Sequence, residues 1–299
     1  MRSKVARAPF PYGAPSVPRS VEPVPKKRRL GADFETAWAR RFSARWARTV
    51  LLEAAVRPAM AALANPERRG LDLIADLDAP VIFVANHHSH LDTPLMLSSL
   101  PEPFRYKVFV GAAADYFFRT SLTSTAAALV LNAIPIERSK VSRSSADQAA
   151  ELIDDGWSML IFPEGGRSKD GWGQPFRGGA AYLAQRCGVP VVPVHLEGTG
   201  RILRKGRTLP SPATARVTFG RPIIGADDES SRALNERIVH AVAVLADEAT
   251  TDWWQARQRA HAGATPALTG PNAPVWRRAW AVSDRRRPSS RRAKPWPRL

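Results

Sequence analysis

One cysteine, Cys187, occurs in 299 residues, so no disulfide can form within the chain, as suits a reducing compartment. No run of about 20 uncharged apolar residues interrupts the sequence, which argues against a membrane-spanning helix. The first 30 residues carry Pro9, Pro11, Pro15, Pro18, Pro23 and Pro25 and lack the apolar stretch of a secretory signal, so a cytosolic chain is expected. Acids are scarce at both ends. Residues 1–33 hold 8 Lys or Arg against 2 Asp or Glu, and residues 271–299 hold 9 against one. What is plentiful is apolar: 44% hydrophobic residues exclude a wholly disordered chain and can fill one large domain or two small ones.

The formal net charge is +17, most of it carried by the two ends, and the body between them is nearly balanced. Proline-rich, basic segments without apolar periodicity do not offset their own ordering entropy, so residues 1–33 and 263–299 are expected to be largely disordered tails. Such tails suit an anionic membrane surface or nucleic-acid phosphates; the near-neutral body argues against specific nucleic-acid binding.

Residues 34–69 form a second unit. Asp33 is a plausible helix N-cap, and Phe34, Trp38, Phe42, Trp46 and Val50 recur every four residues among Arg40, Arg41, Arg45 and Arg48. The pattern predicts a long helix, with Pro58 as a kink and Asn65-Pro66 as its end. Bulky aromatics beside arginines suit a bilayer interface, although Arg45 falls within the apolar arc.

Residues 70–262 change character, with short apolar runs separated by helical stretches. That is an α/β pattern. Strands are predicted at 71–75, 81–85, 106–110, 133–136, 158–162, 191–195 and 215–219, and helices near 93–99, 115–131, 144–156, 178–187 and 230–260.

Three clusters of reactive residues follow predicted strands. Asn86-His87-His88-Ser89-His90-Leu91-Asp92 contains half of the six histidines. A tight turn brings the Asp92 carboxylate to one nitrogen of His87, fixing the tautomer and leaving the other nitrogen as a base. Ser89 lacks the strand-turn-helix context of a covalent nucleophile. His88, His90 and Asp92 alternate as metal-hydrolase ligands do, but Thr93 stands where a further histidine is usual. Pro163-Glu164-Gly165-Gly166-Arg167-Ser168 follows another strand; its glycines permit close backbone approach, and Arg167 offers a fork suited to phosphate. Ile136-Glu137-Arg138 supplies a further cation.

These clusters and their order resemble the glycerolipid acyltransferases, typified by 1-acylglycerol-3-phosphate acyltransferase. The first block of that family, Asn-His-x-Ser-x-x-Asp, corresponds to Asn86–Asp92; the hydrophobic-x-Arg element to Ile136–Arg138; and Phe-Pro-Glu-Gly-Thr-Arg-Ser to Phe162–Ser168. The fourth block, a proline-containing apolar strand, is similar to Val189–Val194, with Pro193 inside it. Gly166 replaces the usual Thr, and Glu137 a frequent Asp.

The resemblance implies a central sheet flanked by helices and direct acyl transfer. His87, oriented by Asp92, takes the proton of a glycerol hydroxyl that attacks a thioester. Arg138, Glu164, Gly165, Gly166, Arg167 and Ser168 would serve the acceptor's phosphate region, Glu164 by orienting arginines or backbone, while Asn86, Ser89, Pro163 and Pro193 support the site. The expected acceptor is 1-acylglycerol-3-phosphate, or another lysophospholipid or glycolipid hydroxyl. The donor is acyl-CoA or acyl carrier protein, used as a substrate, with no metal or resident cofactor expected. The chain is then expected on the cytoplasmic face of the cell membrane as a peripheral protein.

Overall fold

The computed structural model describes residues 30–137, 143–168, 170–203, 209–274, 276–278 and 281. Arg138 and most of both basic tails lie outside the described residues. In chain order the main elements are α1 (Phe42–Leu51), a π-helical turn (Leu52–Val56), α2 (Arg57–Ala64), β1 (Glu67–Arg69), β2 (Ile82–Ala85), α3 (Asp92–Ser99) and β3 (Val108–Ala113). There follow α4 (Ala114–Phe117), α5 (Ser121–Leu131), β4 (Ala133–Ile136), α6 (Arg143–Asp154), β5 (Ser158–Ile161) and α7 (Gly179–Cys187). The chain continues through β6 (Val191–Glu197), α8 (Thr199–Ile202), β7 (Arg216–Phe219), α9 (Ser231–Thr250) and α10 (Trp253–His261).

The strands form one seven-stranded sheet in the order β1-β7-β6-β2-β5-β3-β4. Pairing is parallel throughout except between β6 and β7, so β1 and β7 run against the others. The inner strands read as unbroken apolar runs because both faces are covered. Phe83 and Ala85 point into a core with Leu52, Met60, Leu95 and Met96 from α1–α3. Ile82 and Val84 point the other way, to Ile153, Leu183 and Ile238 from α6, α7 and α9.

Several expectations are corrected. The long helix begins at Phe42, not after Asp33; residues 31–33 and 37–40 are short 3-10 turns, and Phe34 packs on Phe118 at 5.6 Å. Pro58 does not break it. The π-turn ends at Arg57, whose N–H reaches back to the Leu52 carbonyl, and this widened turn makes room for the ring. Asn65, at φ 34°, ends the helix as expected. The strand predicted at 71–75 is a 3-10 turn at Asp72–Ile74. Gly70 turns the chain off the sheet at φ 72°, where a Cβ would meet the Phe219 carbonyl oxygen at 2.2 Å. The unpredicted strand is β1, whose charged sequence hid it; backbone pairing to β7 and the Glu67–Arg216 ion pair at 2.9 Å hold it on the edge.

The boundary drawn between residues 69 and 70 therefore falls inside one packed unit, since β1 belongs to the sheet and Leu52, Met60 and Ala64 to its core. Part of the expected C-terminal tail is also built in, with Leu268 packed among Val242, Ala243 and Ala246. The helix predicted over 115–131 is interrupted before Ser121, where Thr120 caps α5. The one predicted over 230–260 is interrupted before Trp253, where the Asp252 side chain accepts from the Gln255 N–H.

Candidate active site

Adjacent parallel strands end at the same edge of a sheet, and β2 lies beside β5 in register, Val84 against Ile161. Their following loops, residues 86–91 and 162–168, therefore emerge side by side. The first loop is tied down on both flanks. Asn86 is buried and bonds both ways to Leu196 of β6, its Nδ2 donating to the carbonyl at 2.9 Å and its Oδ1 accepting the N–H at 2.7 Å. Ser89 donates its hydroxyl to the Leu203 carbonyl at 3.0 Å, so it braces the loop rather than serving as a nucleophile.

The turn delivers the expected pair. His87 Nδ1 stands 2.8 Å from Asp92 Oδ2, and that same oxygen accepts the backbone N–H groups of His88 at 2.6 Å and Ser89 at 2.8 Å. Burial would raise the Asp92 carboxyl, but its bonds to His87 and the Ser89 amide prevail and hold it below the ordinary aspartate value. An ionised Asp92 makes Nδ1 the protonated nitrogen and leaves Nε2 of His87 as the basic one. The imidazole also stacks on Phe162 at 4.4 Å between centroids, so its plane is set from the second loop.

Glu164 takes the second of the two tasks expected of it. It is 4% exposed, and its two oxygens accept the His87 and Gln174 backbone N–H groups, each at 2.8 Å. Both of these bonds orient backbone. Desolvation, with the neighbouring Asp92 charge adding to it, outweighs those two bonds and raises this carboxyl to about 7. Ser168 is likewise bonded within the loops: its N–H donates to the His87 carbonyl at 2.9 Å and its hydroxyl accepts the Gly171 N–H at 2.8 Å.

Gly165 takes φ 67° and lies against the Arg177 guanidinium, whose Nε would stand 3.0 Å from a Cβ there. The Pro163 carbonyl accepts the Arg177 N–H at 2.9 Å. Arg167 is half-buried, and its charge, after desolvation, helps to lower the pKa of His90. His90 itself stacks on Tyr116 at 5.8 Å. Pro193 lies buried within β6, paired to Val84, and supports the sheet beneath the loops. Among the described residues no three His, Cys, Asp or Glu side chains converge as a metal-ligand set.

Gln174 was missed from sequence. Its Nε2 donates to the carbonyls of Gly166 at 3.3 Å and Arg167 at 3.0 Å, while its N–H closes on Glu164. An isolated glutamine ten residues after Glu164 carries no local signal of that role. Together the loops present a buried carboxylate, an oriented imidazole and a flanking cation, which suffices for removing a proton beside a bound anion.

Known proteins resemble this chain in sequence and fold. Residues 65–197 match the sequence profile of the family described as Acyltransferase. A chloroplastic 1-acyl-sn-glycerol-3-phosphate acyltransferase of Brassica napus is 35% identical over 161 residues, covering 52% of this chain and 44% of that protein. The 1-acyl-sn-glycerol-3-phosphate acyltransferase of Pseudomonas aeruginosa is 31% identical over 173 residues, 57% of this chain and 63% of that protein. The matches thus span about half of these relatives' length. The crystal structure of the 1-acyl-sn-glycerophosphate (LPA) acyltransferase PlsC from Thermotoga maritima shares the fold, with a TM-score of 0.57 over 72% of this chain and 86% of that one at 23% identity. The matched segment holds both loops of the site, and the similarity to the Acyltransferase family covers residues 65–197, a little under half of this chain.

Proposed function

We propose that this chain transfers an acyl group from acyl-CoA or acyl carrier protein to the free hydroxyl of 1-acylglycerol-3-phosphate, giving phosphatidic acid. The observation that carries this reading is the His87–Asp92 pair at 2.8 Å, set beside the Gly165–Arg167 loop. Nε2 of His87 takes the hydroxyl proton as the oxygen attacks the thioester carbon. The tetrahedral intermediate then expels the thiolate, which recovers the proton from the imidazolium. Asp92 stabilises that imidazolium, and the charges of Arg167 and Arg138 answer the acceptor's phosphate. Relatives named for the same acceptor support the assignment. Gly166, standing where a hydroxyl is usual, makes the acceptor the point to test.

The test incubates the purified chain, with and without His87→Ala, with acyl-CoA or acyl carrier protein and a panel of lysophospholipids and glycolipids, following thiol release and lipid product. Phosphatidate from the unsubstituted chain alone is expected. Transfer to a different acceptor would discard the named substrate, and no transfer to any acceptor would sink the enzymatic reading.

An amphiphilic acceptor resides in a bilayer, and we further propose peripheral attachment at its cytoplasmic face. None of the described helices is long and apolar enough to cross a membrane. The outer face of α1 and α2 supports attachment: Phe42 is 83% exposed, Trp46 63% and Val50 44%, and exposed Ala54, Pro58 and Ala59 extend the uncharged stripe beside Arg41 and Arg45. Trp253 and Trp254, stacked and exposed on α10, are a second aromatic patch. Cosedimentation with anionic vesicles should fall at least fivefold for Phe42→Ser/Trp46→Ser, and unchanged binding would remove α1 from the interface.

A further inference from the structure

Leu268, Gly270, Pro271 and Arg278, which composition placed in a loose tail, are bound along the loop that follows the Gly165–Arg167 turn. Leu268 accepts the Gly173 N–H at 3.0 Å. Gly270, at φ 73°, lies flat on the indole of Trp172; a Cβ there would stand 2.2 Å from Cδ2. Trp172 is buried and donates its Nε1–H to the Arg278 carbonyl at 3.1 Å. The Arg278 guanidinium grips Asp170 Oδ2 with Nε at 2.8 Å and NH2 at 2.7 Å, while NH1 donates to the Pro271 carbonyl at 2.9 Å. Desolvation opposes ionisation of Asp170, but the Arg278 bond prevails and holds its carboxyl below the ordinary range.

What this strap holds is the loop that holds His87. Both backbone polar groups of His87 are bonded to residues 164–168, not to the sheet: its N–H donates to Glu164 and its carbonyl accepts the Ser168 N–H. Each of those partners is in turn fixed from the strapped segment. Gln174 donates its N–H to the other oxygen of Glu164, and Gly171 donates to the Ser168 hydroxyl. Asp170, Trp172 and Gly173, which the strap touches, share the five residues 170–174 with these two donors.

We propose that Asp170 and Arg278 are a positioning pair for His87, acting through the 170–174 loop and through Glu164 and Ser168. The proposal rests on reading His87 as the base of an acyl transfer. Neither residue touches substrate. Their contribution is to the placement of the imidazole, where a displacement of about 1 Å costs roughly 100-fold in rate. A pair that only stabilised the fold would lower the melting temperature and leave turnover well below that temperature unchanged.

The experiment uses the full chain carrying Arg278→Ala, Asp170→Ala, or the exchanged pair Asp170→Arg/Arg278→Asp. At 25 °C each single substitution is expected to lower kcat by about tenfold or more, with KM for the donor within about threefold, and the exchanged pair to recover at least a third of the parent kcat. Hydrogen exchange read by mass spectrometry should run at least about tenfold faster in peptides covering 85–92 and 163–175 of Arg278→Ala, with β6 unchanged. Parent-like kcat in both single variants would overturn the proposal, as would unaltered exchange at 85–92. If the unsubstituted chain transfers no acyl group, the functional reading fails on its own. The exchange result then decides the positioning role: faster exchange at 85–92 upholds it and unaltered exchange overturns it.

Discussion

Replacing Asp92 by Asn separates the charge of this carboxylate from its hydrogen bonds. Oδ2 accepts three bonds, two of them from backbone N–H groups that cannot reverse direction. The amide oxygen of Asn is therefore compelled into the Oδ2 place, and its –NH2 falls at the Oδ1 place, beside the Thr199 hydroxyl that helps to lower the Asp92 carboxyl and that can accept from the amide instead of donating. His87 keeps its partner, its tautomer and its stack on Phe162. The imidazolium that forms during reaction loses its counter-charge. Two unit charges about 4 Å apart at an effective dielectric constant of about 20 interact by about 4 kcal/mol, or roughly 1,000-fold in rate. Asp92 is fully buried and the His87 side chain 18% exposed, so solvent screening trims this only modestly, and a fall in kcat of about 100- to 1,000-fold is expected. The assay is thiol release at saturating donor and acceptor, with thermal unfolding in parallel. A folded Asp92→Asn retaining more than a tenth of the parent kcat would refute the charge argument.

Glu164 makes stability pH-dependent in an unusual sense. Its carboxyl is raised from 4.5 to about 7, so the folded chain holds a proton that the unfolded chain releases, and stability falls as pH rises through that window by about 3 kcal/mol. Asp92, whose value is depressed, acts below pH 4, while His90, lowered from 6.5, works in the opposite sense inside the window and trims the fall in parent and variant alike. Urea unfolding at pH 5 and pH 8 should show that fall in the parent and not in Glu164→Gln; equal pH dependence would contradict it. Gly165→Ala forces an L side chain into φ 67° and presses on Arg177, so a loss of about 1 kcal/mol, read as a shift in denaturant midpoint, is expected. Arg48 donates to the carbonyls of Ala39 at 2.5 Å and, at the end of α5, Leu129 at 2.8 Å. Arg48→Met should cost about 2–3 kcal/mol while leaving KM unchanged, and a neutral effect would show that α1 is not anchored through this residue.

How much of this was legible in the sequence differs element by element. The inner strands were, because a strand covered on both faces must be apolar at every position, and the apolar edge strand Ala133–Ile136 likewise emerges with the bounds read from sequence. The edge strand Glu67–Arg69 was not, because backbone pairing and a cross-strand ion pair hold it and neither leaves an apolar pattern. The His87–Asp92 pair was legible because the two residues are five positions apart, within reach of one turn.

Local sequence therefore determined which residues could do the chemistry and on which loops they sit, since turns and apolar runs act over a few residues. Tertiary structure alone decided what holds them in place. The bonds from Glu164 to His87, from Asn86 to Leu196 and from Arg278 to Asp170 join residues 77, 110 and 108 positions apart. They exist because a parallel sheet brings successive strand ends to one edge and because α9 returns the chain to that edge, so that Leu268 packs on α9 and bonds to Gly173. Such contacts depend on the whole fold and leave no local trace in the sequence.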